Sequence, residues 1–168
     1  EHLRHFAHDA DAVVADQRQL CTFFLNERFF GIEVEKVQEV IRYQTITPVP
    51  LAPGVVRGLI NLRGQIVTAV DLRRLLQVED RPDDRLPINI VIQTRQSIFS
   101  LLVDRIGDVL EVEEVSFEHP PDTLEGIARE LIRGAYKLQG RLLLVLNVEK
   151  LFSPDILNRD QGTASVRP

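Results

Sequence analysis

Apolar positions recur along this chain with two different periods, and the alternation between them marks its elements. Leu20 to Leu25 and Phe29 to Val34 are rich in aromatic and branched residues, with Asn26, Glu27 and Arg28 between the two runs. That arrangement predicts a β-hairpin. Val34, Val37, Val40 and Ile41 then fall at helical spacing, which predicts a short helix or turn. Thr47-Pro48-Val49-Pro50-Leu51-Ala52-Pro53-Gly54 is a rigid connector, since each proline fixes its backbone and removes a donor. Leu59 to Leu62 and Gln65 to Val70 predict a second hairpin around Arg63-Gly64, and Asp71 can cap a short helix through Leu76. Val78 to Pro87 is charged, contains two prolines and reads as a linker. Residues 1–18 differ from the rest. Leu3, Phe6, Ala7, Ala10, Val13 and Val14 recur there at helical spacing, which reads as an amphipathic extension or frayed tail.

Beyond the linker the same order of events returns. Under a shift of 69 residues, Phe30, Ile32, Val34, Val37, Val40 and Ile41 land on Phe99, Leu101, Val103, Ile106, Val109 and Leu110. Under a shift of 76, Arg57, Gly58, Leu62, Gly64 and Leu75 recur as Arg133, Gly134, Leu138, Gly140 and Leu151. Ile66, Val67, Ala69, Val70 and Leu72 meet Leu142, Leu143, Val145, Leu146 and Val148. The expectation is two similar β units, the first about 19–77 and the second about 87–152, each with a core of its own. A unit this small is marginal alone, and two packed together share a further core. Short strands in strongly curved sheets favour closure, which also removes exposed edges. The predicted architecture is all-β with short helices: two five-stranded, SH3-like barrels related by a pseudo-twofold repeat. Residues 153–168 read as a tail, ending in a polar, disorder-prone stretch.

The repeat also separates what the fold needs from what a function might need. Gly64 and Gly140 both sit between strands, where a tight turn requires positive φ. Asp71 matches Asn147, and both are good N-caps. A phosphoacceptor role for Asp71 is disfavoured by that partner. Arg63, by contrast, faces Gln139, and Asn61 faces Lys137, so the turn itself does not demand arginine. An exposed arginine there can make a bidentate contact to a partner's carboxylate, or be an ordinary solvated side chain.

Composition narrows the functional classes. The chain has 168 residues, 44% hydrophobic and 27% charged, with a formal net charge of -5. An acidic chain with 6% aromatics argues against an oligonucleotide-binding barrel, which needs a basic groove with stacking rings. The single cysteine, Cys21, permits no intrachain disulfide and fits a reducing compartment. No window approaches the roughly 18 apolar residues of a membrane-spanning helix, so no membrane insertion is expected. Phosphate loops, dinucleotide fingerprints, HExxH, CxxC and EF-hand motifs are all absent. His2, His5 and His8 lack a second cluster to complete a metal site, and His119 sits in a Pro-rich connector. Glu111, Glu113, Glu114 and Glu118 read as the solvent side of a strand alternating with Val112, Val115 and Phe117. No catalytic residue, cofactor or metal is expected.

Val56-Arg57-Gly58-Leu59-Ile60-Asn61-Leu62-Arg63-Gly64, followed by Ile66-Val67 and Val70-Asp71-Leu72-Arg73, closely resembles the most characteristic segment of the CheW family. Phe30-Gly31-Ile32 to Val40, Val103-Asp104 to Val109, and Leu143 to Leu151 resemble three further segments, in order and at compatible spacing. Thr68 departs from the pattern, where many relatives have proline, and the extension has no family equivalent. The resemblance covers Leu20 to Phe152. It implies a non-catalytic cytoplasmic adaptor of chemotaxis. Its implied partners are the regulatory domain of a CheA-type histidine kinase and the helical tip of chemoreceptors, in arrays beneath the inner membrane. Carried over by position, Arg63, Val37, Glu39, Gly58 and Ile88 match family positions implicated in those contacts. Alternatives of the same class are the regulatory portion of a kinase or fusion protein, or the adaptor of another pathway such as twitching motility.

Overall fold

The computed structural model describes residues 17–79 and 85–159. The extension expected over the first residues and the end of the tail lie outside that range, as do the middle positions of the linker.

Among the described residues, ten strands form two five-stranded sheets. The strands are β1 (Gln17–Leu25), β2 (Arg28–Glu33), β3 (Val37–Ile41), β4 (Val56–Leu62), β5 (Gln65–Asp71), β6 (Ile88–Gln93), β7 (Ile98–Val103), β8 (Arg105–Glu113), β9 (Ile132–Leu138) and β10 (Arg141–Leu146). Short helices are α1 (Leu72–Leu75), α2 (Gly126–Leu131) and α3 (Val148–Leu151). Sheet I runs β8-β1-β2-β10-β9, and sheet II runs β3-β6-β7-β5-β4. Replacing each strand by its repeat partner, β1 by β6 and so on, converts one order into the other. The internal repeat is therefore a repeat of structure.

The sheets do not coincide with the sequence halves, however. Sheet I takes its β1–β2 hairpin from the first half and β8, β9 and β10 from the second, and sheet II takes the complementary set. The units expected at 19–77 and 87–152 have exchanged hairpins. The exchange is held by two parallel pairings between halves, β2 with β10 (Phe30 against Leu144) and β5 with β7 (Val70 against Leu101). Apolar alternation specifies local hairpins but not which distant strand each one joins. Each sheet curls until its edges meet. Thr47, beyond β3, bridges Leu59 of β4, and Glu118, beyond β8, bridges Ala135 of β9.

Side chains alternate between two environments along the inner strands. On β7, Leu102 faces a core inside sheet II with Ile60, Leu62, Val67, Ala69 and Val91. Its neighbours Leu101 and Val103 enter a larger core between the sheets, with Phe23, Phe30, Ile32, Ile90 and Ile92. Sheet I has its own interior around Leu20, Phe29, Val112, Tyr136 and Leu143. Burying each such side chain stabilises by roughly 1.5–3 kcal/mol. The shared core expected from the repeat is the largest of the three.

Four local expectations are revised. Val34 to Ile41 is not a helix: a 3-10 turn (Val34–Lys36) leads into β3. A bulge between Val37 and Glu39 shifts the strand's alternation, so apolar spacing across it mimics a helix. Val37 packs on the shared core, whereas Val40 is 40% exposed. Strand alternation also stops early in the acidic stretch, where a turn (Glu114–Ser116) leaves Val115 81% exposed. Gln17 and Arg18 belong to β1, not to an extension. Val78, placed in the linker, packs against the shared core and donates its N–H to Arg73 O at 2.8 Å.

A buried ion pair ties these parts together. Arg73 of α1 and Asp104 between β7 and β8 each expose 2% of their side chains. Arg73 Nε donates to Asp104 Oδ1 at 2.9 Å and Nη2 to Asp104 Oδ2 at 2.5 Å. Asn26, in the β1–β2 turn, accepts from Arg73 Nη2 at 2.6 Å and donates its N–H to Asp104 Oδ2 at 2.7 Å. Arg73 also donates to the Glu79 carbonyl. The network thus joins the turn of a sheet I hairpin to the helix following a sheet II strand.

Candidate functional site

The β4–β5 turn is two residues long, with Leu62 opposite Gln65. Arg63 (φ 50) and Gly64 (φ 90) both adopt positive φ, which matches the right-handed twist of the strands they join. Asn61 Oδ1 accepts from Gly64 N at 2.8 Å and closes the turn. This geometry throws the Arg63 side chain outward, 71% exposed, to the far edge of the curled sheet, where its guanidinium meets Glu39 of β3. Glu39 is 24% exposed. Exposed pairs of this kind contribute only about 0–1 kcal/mol, so stability is a weak reason for the arrangement.

The other positions carried by resemblance are dispersed. Val37, two residues before Glu39, is half-buried against the shared core. Ile88 also packs there, but opposite Val103, whereas Val37 lies opposite Ile92 at the other end of β6. Gly58 is buried inside β4, with φ +147. A Cβ there would lie 2.3 Å from Thr47 O. Thr47 and Leu59 exchange two backbone hydrogen bonds at 2.8 Å, so Gly58 allows the connector to cross and close the sheet. Gly134 does the same in sheet I, where a Cβ would meet Glu118 O at 2.4 Å. The structure thus brings Arg63 and Glu39 into one site with Val37 alongside, and gives Gly58 a structural task.

One feature beside the turn went unread in the sequence. Ile66 sits in a strand that alternates toward the core, yet it is 60% exposed. Its repeat partner Leu142 is half-buried, so the repeat offered no signal for an apolar side chain left at the rim.

Some charges elsewhere are met by neighbours. Arg18 bonds Glu33 at 2.9 Å and Glu114 at 3.1 Å. The hydrogen bond to Glu114 is the first cause holding the Arg18 guanidinium above its ordinary pKa, followed by the charges of Glu114 and Glu33. Asp71 accepts from Arg57 at 3.0 Å and caps α1 through Arg73 N at 3.0 Å, while Asn147 caps α3 through Lys150 N at 3.2 Å. Among the described residues no three His, Cys, Asp or Glu side chains converge as metal ligands. No described helix is long and apolar enough to cross a membrane.

The family model of the CheW-like domain matches residues 19–155. The chain belongs to the CheW-like domain family. Among family members, the chemotaxis protein CheW of Treponema pallidum is 32% identical over 152 residues, covering 88% of this chain and 89% of that protein. The chemotaxis protein CheW of Klebsiella aerogenes is 30% identical over 138 residues, with 82% and 83% covered. In three dimensions the fold is similar to the scaffolding protein TtCheW from Thermoanaerobacter tengcongensis. The TM-score is 0.70 and identity 26%, over 77% of this chain and 88% of that one. In this member of the family the fold is two five-stranded units with exchanged hairpins, and the Arg63 turn lies within the matched range.

Proposed function

We propose that this chain is a non-catalytic adaptor of chemotaxis signalling, linking chemoreceptors to a CheA-type histidine kinase. The observation that carries the reading is the family match over residues 19–155, shared with relatives named as chemotaxis proteins and a scaffolding protein. The chemistry is consistent with it. The side chains that stand out are an exposed arginine on a rigid turn and a carboxylate beside it, which suit recognition of a partner. Arg63 and Glu39 would set orientation and partner choice by charge, with Ile66 and Val37 supplying apolar contact. Glu39 holds the guanidinium in place before a partner arrives, which lowers the ordering cost of binding. The protein would work in the cytoplasm, at receptor arrays.

The test is calorimetry against the isolated regulatory domain of the cognate kinase. Arg63→Glu should weaken binding at least about tenfold, the loss of one charged contact. The charge-swapped double variant Arg63→Glu/Glu39→Arg should stay weak, because it restores the internal pair but not the surface offered to the partner. Recovery by the swap would show that Arg63 acts only within the fold. Absence of binding by the wild-type protein to any such domain would sink the adaptor reading.

A further inference from the structure

The repeat serves again as a control at the end of sheet I where β1 turns into β2. Arg105 lies over the Phe24 ring at 4.0 Å, and Arg141 lies over Phe29 at 4.0 Å and Phe24 at 5.5 Å. The two rings pack against each other at 4.8 Å. Arg28 opens β2 directly after the adjoining turn, opposite Leu25. All three arginines are exposed. Among the described residues none of them is paired with a carboxylate. In sheet II the equivalent positions hold Gln93 for Phe24, Ser97 for Arg28, Ile98 for Phe29, Lys36 for Arg105 and Gln65 for Arg141. The same fold forms there without the cluster, so the fold does not require it.

Arg28 and Arg141 also stand on the wall of a groove floored by Phe30, Ile132 and Leu144 and flanked by Leu124. An apolar floor beside unpaired guanidiniums selects a particular kind of ligand. Stacking on a ring desolvates one face of each guanidinium and pre-orients its N–H fork, which favours bidentate capture of a carboxylate.

We propose that this end of sheet I docks a short acidic segment of a protein partner, its apolar side chains in the groove and its carboxylates on Arg28, Arg141 and Arg105. A nucleic acid fits less well, because guanidiniums already stack on the ring faces that bases would use. Glu27 and Glu125 line the same groove, so bound carboxylates must be spaced to meet the arginines and miss these two, which a discrete segment does and a uniformly anionic polyphosphate or lipid surface does not. The surface lies on the other sheet from Arg63 and does not depend on the kinase reading.

The probe is a fluorescein-labelled peptide of alternating aspartate and leucine, followed by fluorescence anisotropy. Saturable binding that weakens as salt rises is expected. The variant Arg28→Gln/Arg141→Gln should lose at least about tenfold in affinity, and Arg28→Lys/Arg141→Lys should retain part of it. Arg63→Glu should leave it unchanged, which separates this surface from the adaptor site. Circular dichroism melts check that each variant is folded. The proposal is overturned if the wild-type protein fails to bind the peptide, or if the glutamine variant binds it equally. It also fails if an asparagine-for-aspartate peptide binds as well, or if a single-stranded oligonucleotide or phosphatidylglycerol vesicles bind more tightly through the same arginines.

Discussion

At the scale of single residues, position in the repeat distinguishes what each side chain does better than its chemistry alone. Gly58 and Gly64 show the contrast. Gly64 has nothing within 4 Å of a built Cβ, so Gly64→Ala carries only the cost of left-handed backbone, about 1–2 kcal/mol. Gly58→Ala must also push the connector off Leu59, and should cost roughly 2–4 kcal/mol in urea unfolding. Arg73 and Asp104 supply a sharper case. Arg73→Leu leaves Asp104 buried without its main partner and should destabilise by about 3–5 kcal/mol, whereas Arg73→Leu/Asp104→Leu should recover much of that loss. A double-mutant cycle by denaturant unfolding measures it; independent, additive effects would show that the pair is not coupled. Burial raises the pKa of the Cys21 thiol, which keeps it protonated at neutral pH, so it should react slowly with a thiol reagent until the protein unfolds. Of the residues singled out in the sequence, the caps Asp71 and Asn147 and the turn at Arg63-Gly64 were legible because each depends on neighbours close in the chain. The Arg73–Asp104 pair was not, since its partners are 31 residues apart and become neighbours only after the sheets close.

Among the elements, hairpins were legible and bulged strands were misread. The turns at Asn26 and Arg63-Gly64 announce themselves through residues that accept positive φ. β3 was misread because it carries apolar residues on both faces, at a spacing that a helix would share. Val40 and its repeat partner Val109 are both exposed, at 40% and 60%, which periodicity alone does not reveal. Residues 154–159, expected to be tail, form a last helical turn that buries Ile156 in the shared core, and charge adds to the docking: Arg159 bonds Glu130 of α2 at 2.5 Å and Asp155 at 2.7 Å. The bond to Arg159 holds the Glu130 carboxyl below its ordinary pKa. Its contribution to stability is therefore present above the ordinary carboxylate pKa and is lost as pH falls through the lowered folded value. Glu130→Gln should lower the melting temperature at neutral pH, and the gap to wild type should close in acid. A gap that persists at the acid end would assign the effect to packing.

For the molecule as a whole, hairpin exchange decides how stability is distributed. Each sheet needs strands from both halves, and the largest core lies between the sheets, so the halves cannot unfold one at a time. Unfolding should be a single transition seen alike by circular dichroism and tyrosine fluorescence. A fragment of residues 17–79 and one of 85–159 should each be unstructured alone and regain the native spectrum when mixed; a fragment that folds independently would contradict the shared architecture. This whole-molecule property was the least legible in the sequence. The repeat at 69 and 76 residues revealed two equivalent sets of strands, but alternation along each strand is the same whichever sheet receives it.

The exchange carries a consequence for assembly. A half-length chain with this strand pattern would leave its own hairpin without the three strands that complete it, and would offer three strands without a hairpin. Two such chains satisfy one another as a symmetric, mutually entwined pair. Joined in one chain, the two halves need not be identical: Arg63 stands in one turn and Gln139 in the matching one, and Arg28 and Arg141 stand on sheet I where sheet II has Ser97 and Gln65.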